Sequence, residues 1–264
     1  MSPLLCLIFL IFGLIIGSFL NVIVLRLHSG ESVVFGRSRC LSCSKKLNWP
    51  ELIPVLSFLV QRGHCRGCHS RISWQYPLVE LLSGVLFVSV YLRWAADGWL
   101  TLLFYLIIVS LFIATTVYDL RHKIIPDLFV SLLVVLALLR PLFFSLVSHD
   151  FHSLISDYQT VIWGGLAAGG VFFLLWLLSR GRWLGFGDVK LALAIGFLLG
   201  PVQVFSALVL ATWFGAIVGL VLVILTKTGL FGFRKYFTIK SELPFAPFII
   251  LGVLLNLLFQ VNVF

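Results

Sequence analysis

Apolar positions in this chain fall in long unbroken runs rather than in the alternation of a half-buried strand or the stripe of a surface helix. The first run extends from Leu4 to Leu25. Others cover Pro77 to Leu92, Trp99 to Tyr118, Leu128 to Val147, Thr160 to Ser179, Val189 to Leu199, Val204 to Thr226 and Phe245 to Phe264. A membrane-spanning helix needs about 20 mostly apolar residues, because the hydrocarbon core is about 30 Å thick and backbone polar groups must be satisfied inside the segment. The pattern therefore predicts an all-α polytopic membrane protein with about eight transmembrane helices. Gly200-Pro201 divides what would otherwise be one long run, and reading that run as undivided lowers the number to seven. The first run lacks a basic preceding region and a small-residue cleavage site, so it reads as a retained span rather than a removed signal.

The one extended polar stretch, residues 28–75, lies between the first and second spans, giving an expected organisation of 1–27 as first helix, 28–75 as a loop domain and 76–264 as a seven-helix domain. Composition agrees with a bilayer protein: 61% of the 264 residues are hydrophobic and 11% charged, with a mean hydropathy of +1.12. The 19 Lys and Arg against 10 Asp and Glu would raise nucleic acid as a partner in a soluble chain, but here their placement speaks to topology. Eight lie between Arg26 and Arg71, two in Arg121 to Lys123, three in Arg180 to Lys190 and four in Lys227 to Lys240. Only Arg93 and Arg140 fall elsewhere. Positive residues near span ends stay cytoplasmic, so the alternate connections are expected inside and both termini in the periplasm. Anionic lipid headgroups are the natural electrostatic partner of the basic loop.

Within that loop, Cys40-x-x-Cys43 and Cys65-x-x-Cys68 are separated by 21 residues, with Cys6 apart in the first run. Two such knuckles supply four thiolates for a tetrahedral zinc ion. Two disulfides are the competing reading, but a cytoplasmic loop is reducing. A site with four protein ligands has no open position for water, so zinc here is expected to fold the loop. His64 and His69 flank the second knuckle and read as solvated.

Most acidic residues have ordinary surroundings. Asp97, Asp150 and Asp157 fall in turns, Glu31 and Glu51 in the cysteine loop, and all five are expected to be solvated; Glu242 neighbours Lys240. Asp127 follows Pro126 where it can cap a helix, and Glu80 sits in the first turn of the second span, where a helix dipole or a functional role explains it equally. Asp119 and Asp188 differ, because each stands where an apolar run meets the same expected membrane face. Two carboxyls held close share one proton, so that one activates water while the other protonates an amide leaving group. Gly185 and Gly187, flanking Phe186 just before Asp188, tolerate unusual φ and leave room for an extended peptide backbone.

Taken together, these residues resemble the prepilin peptidase family, GxGD-type membrane aspartic proteases of type IV pilus and type II secretion systems. The likeness is carried by Gly17-Ser18-Phe19-Leu20-Asn21-Val22-Ile23 with Arg26-Leu27, both CxxC knuckles, and Ile72-Ser73 before Tyr76-Pro77-Leu78-Val79-Glu80-Leu81-Leu82. It continues through Asp119, Ile125-Pro126-Asp127 and Gly185-Phe186-Gly187-Asp188-Val189-Lys190-Leu191. The resemblance implies a bacterial inner-membrane enzyme that removes the leader of pilin-like or pseudopilin precursors after a glycine at the cytoplasmic face, with Asp119 and Asp188 as the catalytic pair. Many members also methylate the new N-terminus with S-adenosylmethionine, and those carry the cysteine-bearing domain. The chain departs from the family pattern at Ser29-Gly30-Glu31 and at Trp49-Pro50-Glu51-Leu52-Ile53-Pro54, outside the peptidase motifs, so a peptidase without methyltransferase activity is the alternative within the class. A transporter or secretion-assembly factor is the alternative outside it, and depth separates the two: transport acids sit near the bilayer midplane on broken helices.

Overall fold

The structure is a computed structural model that describes residues 2–33, 35–148, 151–228, 244–261 and 263. Among these, nine α-helices and no sheet are present: α1 (Pro3–Ser29), α2 (Leu56–Val60), α3 (Gln75–Trp94), α4 (Trp99–His122), α5 (Asp127–Ser148), α6 (Leu154–Ser179), α7 (Phe186–Leu199), α8 (Pro201–Thr228) and α9 (Ala246–Phe259). Each apolar run of the sequence carries a helix, the last of them over Ala246–Phe259 only, and the break at Gly200-Pro201 is where α7 gives way to α8. The protein is an all-α membrane protein. Six helices, α1, α3, α4, α5, α6 and α8, are long and apolar enough to cross a bilayer. With 14 residues each, α7 and α9 rise only about 21 Å, so length alone does not establish the expected eight spans. The basic residues Arg234, Lys235 and Lys240, together with Asp150 and Glu242, lie outside the described residues.

The chain forms two compact units, 1–117 and 118–264. In the first, α1 packs along α3. Ser2 caps α1, its hydroxyl accepting from the Leu5 N–H, and Gly30 ends the helix in the left-handed region. The helices approach closely because α1 offers no side chain at Gly13 and Gly17: a Cβ on Gly13 would stand 2.6 Å from the Ser83 carbonyl oxygen. Small residues at such a seam are how helices gain contact in lipid, where burial of apolar area provides little drive. Asn21 is buried there and donates to the carbonyls of Gly17 and Tyr76.

In the second unit α7 lies among α5, α6, α8 and α9, and most of its residues from Val189 onward are buried. Its seam with α6 is backbone against backbone at Gly164 and Gly196, where a Cβ on either would collide with the other's carbonyl. Arg140 of α5 donates to the carbonyl of Leu198 at the end of α7 and lies 5.9 Å from the Phe144 ring. This cation, an outlier in the charge pattern, thus satisfies one of the carbonyls a helix end leaves open.

Candidate functional site

The cysteine loop is built from two knuckles with the same backbone bonding. In the first, Cys40 donates to the Lys45 carbonyl and receives the Ser44 N–H, both at 2.9 Å; in the second, Cys65 donates to Ser70 and receives His69, again at 2.9 Å. Ser44 and His69 occupy the equivalent left-handed position, with φ of 57° and 55°. Each knuckle is closed by an isolated antiparallel bridge, Arg39 with Lys46 and His64 with Arg71. The result is that the four sulfurs of Cys40, Cys43, Cys65 and Cys68 lie within 4.8 Å of one another, and all four thiols are free. A tetrahedral ion with bonds of about 2.3 Å needs sulfurs about 3.8 Å apart, and Cys40 and Cys68 stand at 3.9 Å. The cluster can therefore hold a metal ion.

Four thiols this close cannot all ionise alone. The backbone N–H groups of Cys43 and Ser42 pull Cys40 down to about 6. At Cys43 the Lys45 N–H also pulls down, but crowding by the Cys68 and Cys40 sulfurs outweighs it and pushes the thiol up to about 11. A divalent cation resolves that conflict by neutralising the set. Neither neighbouring histidine is needed: the Nδ1 of His64 is 2.8 Å from the Arg62 carbonyl, and His69 is exposed. Glu51, expected in solvent, is instead buried; it accepts from the Asn48 N–H and pairs with Lys45 at 3.1 Å. It braces the loop because a buried carboxylate needs both a donor and a countercharge. Glu80 is also buried and accepts the Val55 N–H at 2.7 Å. Val55 sits at φ 61°, ψ −49° with Leu56 donating to Pro54, a γ-turn that is strained for a β-branched residue. That role for Glu80, a tether for the loop, had no signal in the spacing of the sequence.

The second unit holds the acidic pair. Asp119 lies in the last turn of α4 and is 5% exposed. The backbone turns immediately after it: the Lys123 N–H reaches its carbonyl at 2.7 Å, with Lys123 left-handed, and Ile124-Ile125-Pro126 lead into α5. Its Oδ2 is buried with no hydrogen-bond partner among the described residues, while the Ala246 N–H at the start of α9 faces the carboxylate. Asp188 is the third residue of α7 and reaches back to the N–H of Gly185, the residue that caps that helix. The loop carrying it is set by the end of α6, where Arg180 and Gly181 donate to Leu177 and Trp176 with Arg180 left-handed, closing a Schellman motif. The two carboxyls are near enough for the charge of Asp119 to act directly on Asp188.

Around the pair, Gly185 and Gly187 have ordinary φ, so the unusual backbone expected of them is not what glycine supplies here. Space is. A Cβ on Gly185 would sit 3.4 Å from the Asp188 Oδ2, and one on Gly187 3.2 Å from the Ile125 Cβ. Asp127, expected as a helix cap, starts α5 and pairs with Lys190 at 2.7 Å; Lys190 also lies over the Phe186 ring at 5.2 Å.

Fold and site together define a polytopic helical membrane protein with a four-thiol centre and two carboxyls gathered at helix ends. Residues 11–94 match the bacterial peptidase A24 N-terminal domain and residues 106–220 the type IV leader peptidase family. The chain is 34% identical over 251 residues to a prepilin leader peptidase/N-methyltransferase of Bacillus subtilis (strain 168), covering 94% of this chain and 92% of that protein. It is 30% identical over 266 residues to a type 4 prepilin-like proteins leader peptide-processing enzyme of Escherichia coli O78:H11 (strain H10407 / ETEC), covering 94% and 91%. A prepilin leader peptidase/N-methyltransferase of Aeromonas hydrophila is 32% identical over 263 residues, covering 90% and 85%. No solved structure matches significantly. The chain belongs to the type IV leader peptidase family.

Proposed function

We propose that this protein is a prepilin leader peptidase of the bacterial inner membrane, with Asp119 and Asp188 as its catalytic pair at the cytoplasmic face and both termini periplasmic. The observation that carries the reading is the meeting of a buried, unpartnered carboxylate oxygen on Asp119 with a second carboxyl on the Gly-Phe-Gly-Asp helix start. Held together, the two share one proton. The ionised member takes a proton from water as the water oxygen bonds to the scissile carbonyl carbon; the protonated member gives its proton to the departing amide nitrogen, and the C–N bond breaks. The leader leaves as a carboxylic acid and the shortened precursor as an amine. Gly185 leaves the Asp188 carboxylate approachable by a peptide backbone, and Gly187 holds the start of α7 against Ile125. Substrates in this reading are type IV prepilins or pseudopilins.

Residues 28–75 form the zinc domain in this reading and 76–264 the peptidase domain, with Cys40, Cys43, Cys65 and Cys68 holding a structural ion. Zinc would fix the two knuckles and leave no coordination position for a substrate. The second activity named for the Bacillus subtilis and Aeromonas hydrophila relatives, N-methylation, would draw its methyl group from S-adenosylmethionine and is carried over on relatedness alone. Co-expression with a prepilin, followed by the mass of its N-terminus, reports cleavage position and methylation together. Asp119→Asn and Asp188→Asn are each expected to abolish leader removal in protein that remains membrane-inserted. Full processing by either variant discards the pair.

A further inference from the structure

The charges of residues 28–75 divide into those the fold uses and those it leaves at the surface. Arg26, at the loop's entrance, donates to the carbonyls of Ser32, Val33 and Phe35, and Lys45 is matched by Glu51. Arg62 and Arg71 have no carboxylate partner among the described residues. They border one open cleft of about 490 Å³, together with His64. The bridge between His64 and Arg71 sets those two residues opposite each other, which directs their side chains to the same face. The apolar wall of the cleft is Phe58 and Trp74, ring centres 4.8 Å apart. Gly63 is left-handed and abuts Phe58, where a Cβ would stand 3.2 Å from the ring. No acidic residue lines the cleft, so its complement is an anion.

The rim says which anion. α2 is five residues long, and three of them, Leu56, Leu59 and Val60, are exposed, the last two at 62%. Trp74 is 67% exposed and immediately precedes α3, a helix able to cross the bilayer. Water is a poor solvent for such a surface, whereas the headgroup region accepts an apolar edge, an aromatic ring and cations side by side. A free phosphate or a nucleotide would engage the arginines and leave Leu59, Val60 and Trp74 uncovered. We propose that this cleft seats the headgroup phosphate of an anionic phospholipid between Arg62, His64 and Arg71, with the apolar side chains of α2 and Trp74 in the adjoining acyl boundary. The loop domain is thereby laid on the membrane surface.

This rests on the membrane placement of α3 and is independent of the peptidase assignment. The test uses the full-length protein in nanodiscs of phosphatidylcholine alone or with phosphatidylglycerol, reading amide hydrogen exchange over residues 56–74. Phosphatidylglycerol is expected to slow exchange there by about fivefold or more, the effect of one arginine held at an anionic surface. The charge-reversed double variant Arg62→Glu/Arg71→Glu loses the protection, and Arg62→Lys/Arg71→Lys retains it. Equal exchange of the unaltered protein in the two lipids overturns the proposal without reference to any variant. So does protection restored by millimolar inorganic phosphate in phosphatidylcholine discs, which would make the cleft a soluble-anion site. Precursor cleavage measured on the same discs keeps the two readings apart: unslowed exchange with intact cleavage removes the lipid site and leaves the peptidase standing.

Discussion

Two glycines separated by a single phenylalanine do different work beside Asp188. Gly187 is pressed on Ile125, whereas Gly185 faces the carboxylate across ordinary van der Waals distance. Gly187→Ala forces Ile125 to yield by a few tenths of an ångström and is expected to cost about 1 kcal/mol of stability, visible as a lower thermal midpoint in detergent. Gly185→Ala should leave that midpoint alone and reduce cleavage by narrowing the approach of a peptide backbone to Asp188. If both variants shift the midpoint equally, the division of roles is wrong. At this scale the sequence was informative where chemistry is local: Asp119 and Asp188 adjoin the runs Trp99–Tyr118 and Val189–Leu199, and the fold brings the charge of one within reach of the other. The sequence did not supply the partners of Glu80 and Glu51. The Val55 N–H that meets Glu80 is presented by a strained turn 25 residues away, and no periodicity encodes such a partner.

Among the elements, α6 and α7 are held by contact that only glycine permits. Gly196→Leu is expected to pry them apart and deplete folded protein, since the collision is with the Gly164 backbone, which cannot rotate away. Gly170→Leu on the same α6 is the control, because nothing lies within 4 Å of its added Cβ. Equal expression and equal melting of the two variants would contradict the seam. The apolar runs foretold every long helix, but not what each faces. α7 is apolar because neighbouring helices bury it, a circumstance that hydropathy cannot distinguish from contact with lipid. Among the described residues six helices have spanning length, and α7 and α9 are the two shorter members of the expected eight. Arg140 likewise read as a stray cation until its acceptor at the end of α7 was located.

For the molecule as a whole, the four-thiol centre belongs to a different compact unit from the acidic pair. Stripping the metal with a strong chelator should expose four reactive thiols and open residues 36–72 to protease, because a loop this small has little core of its own. Helical signal from α5 to α9 should persist, as those elements pack on one another. Loss of helicity throughout would show instead that the loop organises the entire chain. The four-cysteine cluster was legible from spacing alone, since two CxxC pairs with a long intervening segment have few other uses; the hydrogen bonds that shape each pair emerged only with the backbone. Those bonds make the hexapeptides Cys40–Lys45 and Cys65–Ser70 equivalent cassettes, differing in side chains but alike in wiring. Transplanting each into the other's place should therefore yield a chain that still captures its ion, much as two identical sockets accept either plug.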